Sequence, residues 1–221
     1  MDFEIINFRS EPRNNPLAPE WNYHLIETLI KDVDFFSLSK YLKNKEKYIL
    51  KLEKTNTGYT GLGENSTTSR HGKYNVFEWR NEELDKLKKH ISDLHDCLLK
   101  NISIEIKSPL FIKCWVNIMR MNDQIQPHIH SSHPDTYLGG HICVSCTNTS
   151  TYYINPVNQI NNPETYKSKN EVGKLTLFQN CIPHYTDIHD SDEERITIAF
   201  DMSLVKRGPT KESKEGFIEL K

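Results

Sequence analysis

The sequence predicts an α+β protein that is mainly β, an antiparallel sandwich or barrel with helices packed outside it. Three observations carry this expectation. The apolar period changes from helical to alternating near residue 102. Five short apolar runs then follow with turn-rich pieces, and no helical pattern, between them. Upstream lies a capped amphipathic helix whose apolar stripe needs a surface to cover. A chain of 221 residues can bury one sizeable core. The expected division is a helical and loop elaboration over 1–105, a β core over 106–205, and a charged, flexible tail over 206–221.

The elements follow in order. In "EWNYHLIETLIKDV", Leu25, Ile26, Leu29 and Ile30 fall at helical spacing, which predicts a first helix. "FSLSKYLKNKEKYILKLE" predicts a second, around Leu42 and Tyr48. The polar stretch from Thr55 to Tyr74, rich in Gly, Ser, Thr and Asn, reads as surface loop or a mobile cover. In "NEELDKLKKHISDLHDCLLKN", Asn81 is a suitable cap and Glu82 and Glu83 suit the positive first turn. Leu84, Leu87, Ile91, Leu94 and Leu98 then recur at steps of three and four, and His90 and His95 read as partly solvated histidines on that helix. "FIKCWVNIMRM" sets Ile112, Cys114, Val116 and Ile118 on one side and Trp115, Asn117 and Met119 on the other, as a strand does. "YLGGHICVSC", "STYYINP", "GKLTLFQN" and "RITIAFDMSL" are the further strands, with the stretch from Asn158 to Gly173 read as linker.

Charge and composition narrow the function. With 28 basic against 30 acidic side chains there is no electrostatic footprint for nucleic acid or anionic lipid, so neither is an expected partner. The start "MDFEIINFRSEPRNN" lacks the basic and apolar blocks of an export signal, and no stretch of about 18 apolar residues occurs. A cytoplasmic protein is expected. Five cysteines at irregular spacing fit reduced thiols, and "CVSC", without a second cysteine pair, reads as two small strand residues rather than a zinc site.

The chemistry concentrates in "PHIHSSHPD", residues 127–135, which holds three of the ten histidines. On extended backbone, His128 and His130 point to one face, and imidazole is a good ligand for iron, zinc, copper or nickel. A loop histidine usually faces solvent, so the pair alone is weak evidence. The remote candidate for a third ligand is His184 in "NCIPHYTD", between two strands. In "ERITIAF", Arg195, Thr197 and Ala199 share one strand face. A planar fork with a hydroxyl beside it suits a carboxylate, so Arg195 either meets an anionic ligand or pairs with a protein carboxylate such as Asp187 or Glu194.

With His128, His184 and Arg195-x-Thr197 in this order on strand edges, residues 111 to 204 resemble the Fe(II) and 2-oxoglutarate dependent oxygenases. The likeness is to oxygenases common in bacteria and phages and, more distantly, to the aspartyl/asparaginyl β-hydroxylases. "WVNIMRMNDQIQPHIH" is similar to the family strand that carries a polar residue, here Asn117, ahead of the first metal histidine. "LGGHICV" stands where the β-hydroxylase branch has a cosubstrate histidine, here His141. "VGKLTLFQNCIPHYTDIHDSDEERITIAF" resembles the closing segment with its distal metal histidine and cosubstrate arginine. The resemblance implies a double-stranded β-helix, a cupin-like jelly-roll barrel, with Fe(II), 2-oxoglutarate and dioxygen used at its open end.

The family's usual third ligand is a carboxylate two residues after the first histidine, and His130 stands there instead. His130, a water, or Asp135 from the loop are the candidates, with His130 favoured. His133 reads as an exposed loop residue. The resemblance implies metal binding by His128 and His184, which the favoured His130 would join, and cosubstrate binding by Arg195, Thr197, Asn117 and His141. The expected activity is that of a dioxygenase, hydroxylating a C–H of a peptide, protein or small molecule with release of succinate and carbon dioxide. The competing readings are a non-catalytic jelly-roll module with a structural metal, and a three-histidine zinc hydrolase. The Thr55–Tyr74 and Asn158–Gly173 segments are long enough to wall or cover a site, and Tyr137, Tyr152 and Tyr153 fall near its presumed mouth, although they read equally as ordinary strand residues.

Overall fold

The structure, a computed structural model, describes all residues except 11–15, 18, 56–60, 131–135, 158–163, 208–215 and 221. His133 and Asp135 therefore lie outside the described residues. Among the described residues, ten strands, β1 (Phe3–Arg9), β2 (Asn22–Leu29), β3 (Phe111–Met119), β4 (Thr136–Ser145), β5 (Ser150–Ile154), β6 (Thr165–Lys169), β7 (Lys174–Gln179), β8 (His184–Thr186), β9 (Arg195–Ser203) and β10 (Ile218–Glu219), accompany helices α1 (Phe35–Ile49) and α2 (Glu82–Asn101). The strands form two antiparallel sheets, ordered β1-β2-β7-β4-β9-β3-β10 and β6-β5-β8. Helices, large sheet and small sheet make a mainly β, α+β jelly roll in which the helices cover the outer face.

The period of two decides which side chains reach which layer. In β3 and β9 the even-numbered residues, Ile112, Cys114, Val116 and Ile118 with Ile196, Ile198, Phe200 and Met202, join the helical core of Leu38, Leu42, Leu84, Leu87, Ile91, Leu94 and Leu98. The odd-numbered residues turn toward the small sheet. There a second cluster, Phe8, Leu25, Tyr153, Phe178 and Ile182, packs the two sheets together. α2 starts as expected: the Asn81 side chain accepts from the backbone N–H groups of Glu83 (2.9 Å) and Leu84 (3.3 Å), with Glu82, Glu83 and Asp85 in the first turn. α1 is capped by Asp34, which accepts from Ser37 N–H at 3.0 Å.

Several expectations need correction. Residues 22–29 form a strand and not the predicted helix, and β2 sits inside the large sheet between β1 and β7, paired Leu25 to Phe178 and Ile26 to Leu177. A strand covered on both faces buries consecutive residues, here Leu25, Ile26, Glu27 and Thr28, and loses the alternation by which strands are recognised. The first hundred residues therefore supply sheet as well as helix. Part of the presumed linker is β6, the outer strand of the small sheet, and Ile218–Glu219 of the charged tail pairs with β3. His95 is buried, its Nε2 2.9 Å from the Tyr137 hydroxyl, so that pair lies under α2 and Tyr137 is not a mouth residue. No helix among the described residues is long and apolar enough to cross a membrane.

Candidate active site

Between the inner faces of the two sheets lies a cavity of about 470 Å³. The register of β3 against β9 grades it in layers. Met119 faces Arg195, Asn117 faces Thr197, Trp115 faces Ala199 and Lys113 faces Asp201, so one strand face runs from an arginine at one end to an aspartate at the other.

His128, His130 and His184 converge at this cavity, each offering a ring nitrogen, with the three ligand atoms within 4.8 Å of one another. The backbone brings them together. His128 N–H donates to the His184 carbonyl (3.1 Å), and His184 N–H donates back to the His128 carbonyl (2.9 Å), so the segment carrying His128 lies beside β8 as a further short rung of the small sheet. His130 is fixed next to it by its own N–H, which donates to the Asn180 carbonyl at 3.2 Å. Ring centroids stand 4.3 Å apart for His128 and His184, 4.9 Å for His130 and His184, and 5.5 Å for His128 and His130.

In each ring the Nδ1 position is committed elsewhere. His128 Nδ1 donates to the Gln126 carbonyl (2.8 Å), His184 Nδ1 to the Ile182 carbonyl (3.1 Å), and His130 Nδ1 to Asp201 Oδ1 (2.6 Å). This arrangement leaves Nε2 of all three as lone pairs, the tautomer a metal requires. Burial, reinforced by the neighbouring rings, pushes the His128 pKa down to about 4 and holds His184 well below the ordinary histidine range. The donor set thus fits a divalent transition metal.

Two glycines make the room. At Gly139 a Cβ would lie 2.8 Å from His130 Nδ1 and 2.8 Å from a Phe178 ring carbon, and at Gly140 it would collide with the Phe200 ring. "LGGH" is therefore tight backbone beneath a histidine and an aromatic ring.

At the other end Arg195 is only 2% exposed. Its Nη2 donates to Thr151 Oγ1 at 3.3 Å and, with the Asn170 amide turned to satisfy both its ends, to Asn170 Oδ1 at 3.1 Å. Its Nε has no acceptor, and no carboxylate among the described residues pairs with it. The two proteins carboxylates considered as partners are engaged elsewhere: Glu194 with Lys43 and Arg120, and Asp187 with the Ser150 N–H at 2.8 Å. A buried cation with unsatisfied donors calls for an anion.

His141 stands nearby on β4. The Tyr153 hydroxyl, whose proton burial retains well above the usual range, is hydrogen-bonded to His141 Nε2 at 2.7 Å. Burial first, then the Arg195 charge, pushes the His141 pKa down to about 3, so the ring is neutral, and its buried Nδ1 has no partner among the described residues. Thr197 lines the same cavity, and Asn117 Oδ1 accepts from the Thr68 hydroxyl at 2.7 Å.

All seven residues singled out in the sequence therefore line one cavity. Sequence reasoning missed Asp201 and Thr151, and it named no residue of the polar loop, from which the short 3-10 segment Thr68–Lys73 brings Thr68 and His71 to the cavity. Asp201 had a signal: it is the next residue of the inward period after Arg195, Thr197 and Ala199. Tyr152 and Tyr153 are residues of β5: Tyr152 stacks on Tyr185 with centroids 4.8 Å apart, and Tyr153 is buried.

Comparison with known proteins agrees with this geometry. Residues 113–201, less than half of the chain, match the family described as "Putative 2OG-Fe(II) oxygenase". No curated protein matches the sequence. Among solved structures, a carbocyclase from nogalamycin biosynthesis, SnoK, described as non-heme and alpha-ketoglutarate dependent, is 10% identical with a TM-score of 0.54, covering 81% of this chain and 79% of its own. A Pseudomonas putida prolyl-4-hydroxylase is 9% identical with a TM-score of 0.52, covering 81% and 91%. HygX from Streptomyces hygroscopicus, solved with nickel and 2-oxoglutarate bound, is 12% identical with a TM-score of 0.50, covering 81% and 82%. At such identities these neighbours establish the shared fold, and the family match across β3 to β9 completes the case: over its barrel the chain is similar to the 2OG-Fe(II) oxygenases.

Proposed function

We propose that the chain is an Fe(II)- and 2-oxoglutarate-dependent dioxygenase that hydroxylates a C–H of a peptide, protein or small-molecule substrate. One observation carries the reading. A buried arginine with no direct carboxylate pair among the described residues stands in the same cavity as three histidines whose lone pairs point inward. A metal module has no use for the arginine, and neither does a zinc hydrolase. A short dicarboxylate would give both ends a role.

His128, His130 and His184 would hold the metal through Nε2, and the carbonyl and carboxylate partners at Nδ1 keep the rings from turning. Iron bound there would supply activation of dioxygen for oxidative decarboxylation of the 2-oxo acid to succinate and carbon dioxide. Arg195 and Thr197 would bind the distal carboxylate, with the unpartnered Nε as one further donor. His141 would donate from Nδ1 to a cosubstrate oxygen, held in that tautomer by Tyr153. Asn117, tied to Thr68, would steady the near end. Trp115 and Ala199, opposite each other in the register of β3 against β9, would add apolar lining that helps exclude water from the reacting centre. All seven proposed binding residues fall in the β core expected over 106–205.

The test is succinate release from 2-oxoglutarate with Fe(II) and air, with and without candidate substrates. Turnover that requires iron and is abolished by Arg195→Ala supports the reading. Tight zinc retention with hydrolysis and no succinate would replace it by the hydrolase reading.

A further inference from the structure

Three neutral imidazoles leave a divalent ion with its full charge, whereas two histidines and a carboxylate would remove one unit. The chain carries a carboxylate one hydrogen bond further out. Asp201 Oδ1 accepts from His130 Nδ1 at 2.6 Å, while Asp201 itself is not among the residues whose ligand atoms cluster. Its side chain is 26% exposed, so water remains available to its second oxygen. The contact is also built into the sheet. Asp201 pairs with Gly139 on β4, and Gly139 is the residue whose missing Cβ makes room for His130 Nδ1. On the other side Asp201 pairs with Lys113 of β3, and Trp115 stands 5.8 Å from the His130 ring. His130 is thus clamped by a carboxylate at Nδ1, a backbone carbonyl at its own N–H, and flat ring neighbours.

Resting on the metal reading above, we propose that Asp201 is a positioning residue for the metal centre: through His130 it supplies the negative charge that the histidine triad lacks. A charge-assisted bond of this kind raises the basicity of the opposite ring nitrogen and fixes its direction. His130 with Asp201 then acts as a two-part substitute for a carboxylate ligand.

The experiment is a titration of the metal-free protein with cobalt(II), without air and against a chelator of known affinity, for the wild type and for Asp201→Asn, Asp201→Ala and Asp201→Glu. Asp201→Asn retains an acceptor without charge and is expected to bind cobalt roughly tenfold more weakly; Asp201→Ala is expected to lose up to about a hundredfold, and Asp201→Glu to recover part of the loss. The cobalt absorption bands should shift in Asp201→Asn even at saturation, a change that a purely structural role would not produce. Thermal melts of the metal-free variants report folding independently, and the more conservative Asp201→Asn decides the matter if Asp201→Ala unfolds. Wild-type affinity and an unshifted spectrum in Asp201→Asn overturn the proposal. A wild type that binds no cobalt instead overturns the metal reading, and the proposal with it.

Discussion

The two ends of the cavity are built on opposite principles. Around the histidine triad each Nδ1 has a partner, and the atoms left over are lone pairs. Around Arg195 the atom left over is a donor: the buried Arg195 Nε has no acceptor among the described residues, and the buried His141 Nδ1 beside it has no partner either. One end is prepared for a cation and the other for an anion, and the protein completes neither by itself. Unsatisfied polar atoms are thus informative when their sign is consistent within a region and opposite between regions.

The comparison can be broken from either end. Removing a lone pair should have the largest effect: His184→Ala is expected to weaken metal binding by about a thousandfold, on the order of 4 kcal/mol, and to abolish succinate formation. Calorimetric titration with cobalt(II) reads this directly. At the opposite end, Arg195→Met should weaken 2-oxoglutarate binding by about 2–5 kcal/mol, while leaving the ligand-free protein as stable as before or more so, because an unpaired buried cation is replaced by an apolar chain. A matched loss of stability and of binding would show that the arginine is structural.

Acid sharpens the contrast without a mutation. The folded pKa values of His128, about 4, and His141, about 3, lie below that of an unfolded histidine. The unfolded chain therefore takes up protons first as pH falls, so these groups contribute fully above about pH 6.5 and progressively less below it. Urea denaturation of the metal-free protein should show a loss of roughly 2–4 kcal/mol between pH 7 and pH 5 from the two rings together. The smallest of these effects is at the packing beneath the triad. Gly139→Ala should cost about 1–3 kcal/mol by overpacking, displace His130, and lower metal affinity more than 2-oxoglutarate affinity.

How much of this was legible in the sequence depended on how local the signal was. The strands from Phe111 onward alternate, and α2 carries both its cap and its stripe, so these elements read directly. His128, His184 and Arg195 were found because each stands on or beside a recognisable strand. β2 was misread because "NYHLIETL" is covered on both faces and its apolar residues satisfy a helical spacing equally well. β6, "TYKSK", buries only Ser168 and has almost no apolar pattern to detect. The partner of His130 lay beyond local reading, since Asp201 reaches it across the barrel from another strand. Likewise which of the two readings of Arg195 holds, a direct carboxylate partner or an open donor, depends on direction in space: Asp187 is near enough to act on its charge but bonds the Ser150 N–H, and Glu194 turns to Lys43 and Arg120.

The position of β2 has a practical consequence for anyone shortening the protein. The family match begins at residue 113, which invites a fragment containing only the barrel. Such a fragment would strip β7 of the neighbour that satisfies its backbone from Lys174 to Phe178 and would bare Leu175 and Leu177 beside it. A naked edge of that kind recruits another copy of itself, so the trimmed protein should precipitate or form strand-linked aggregates, and the first thirty residues belong in any expression design.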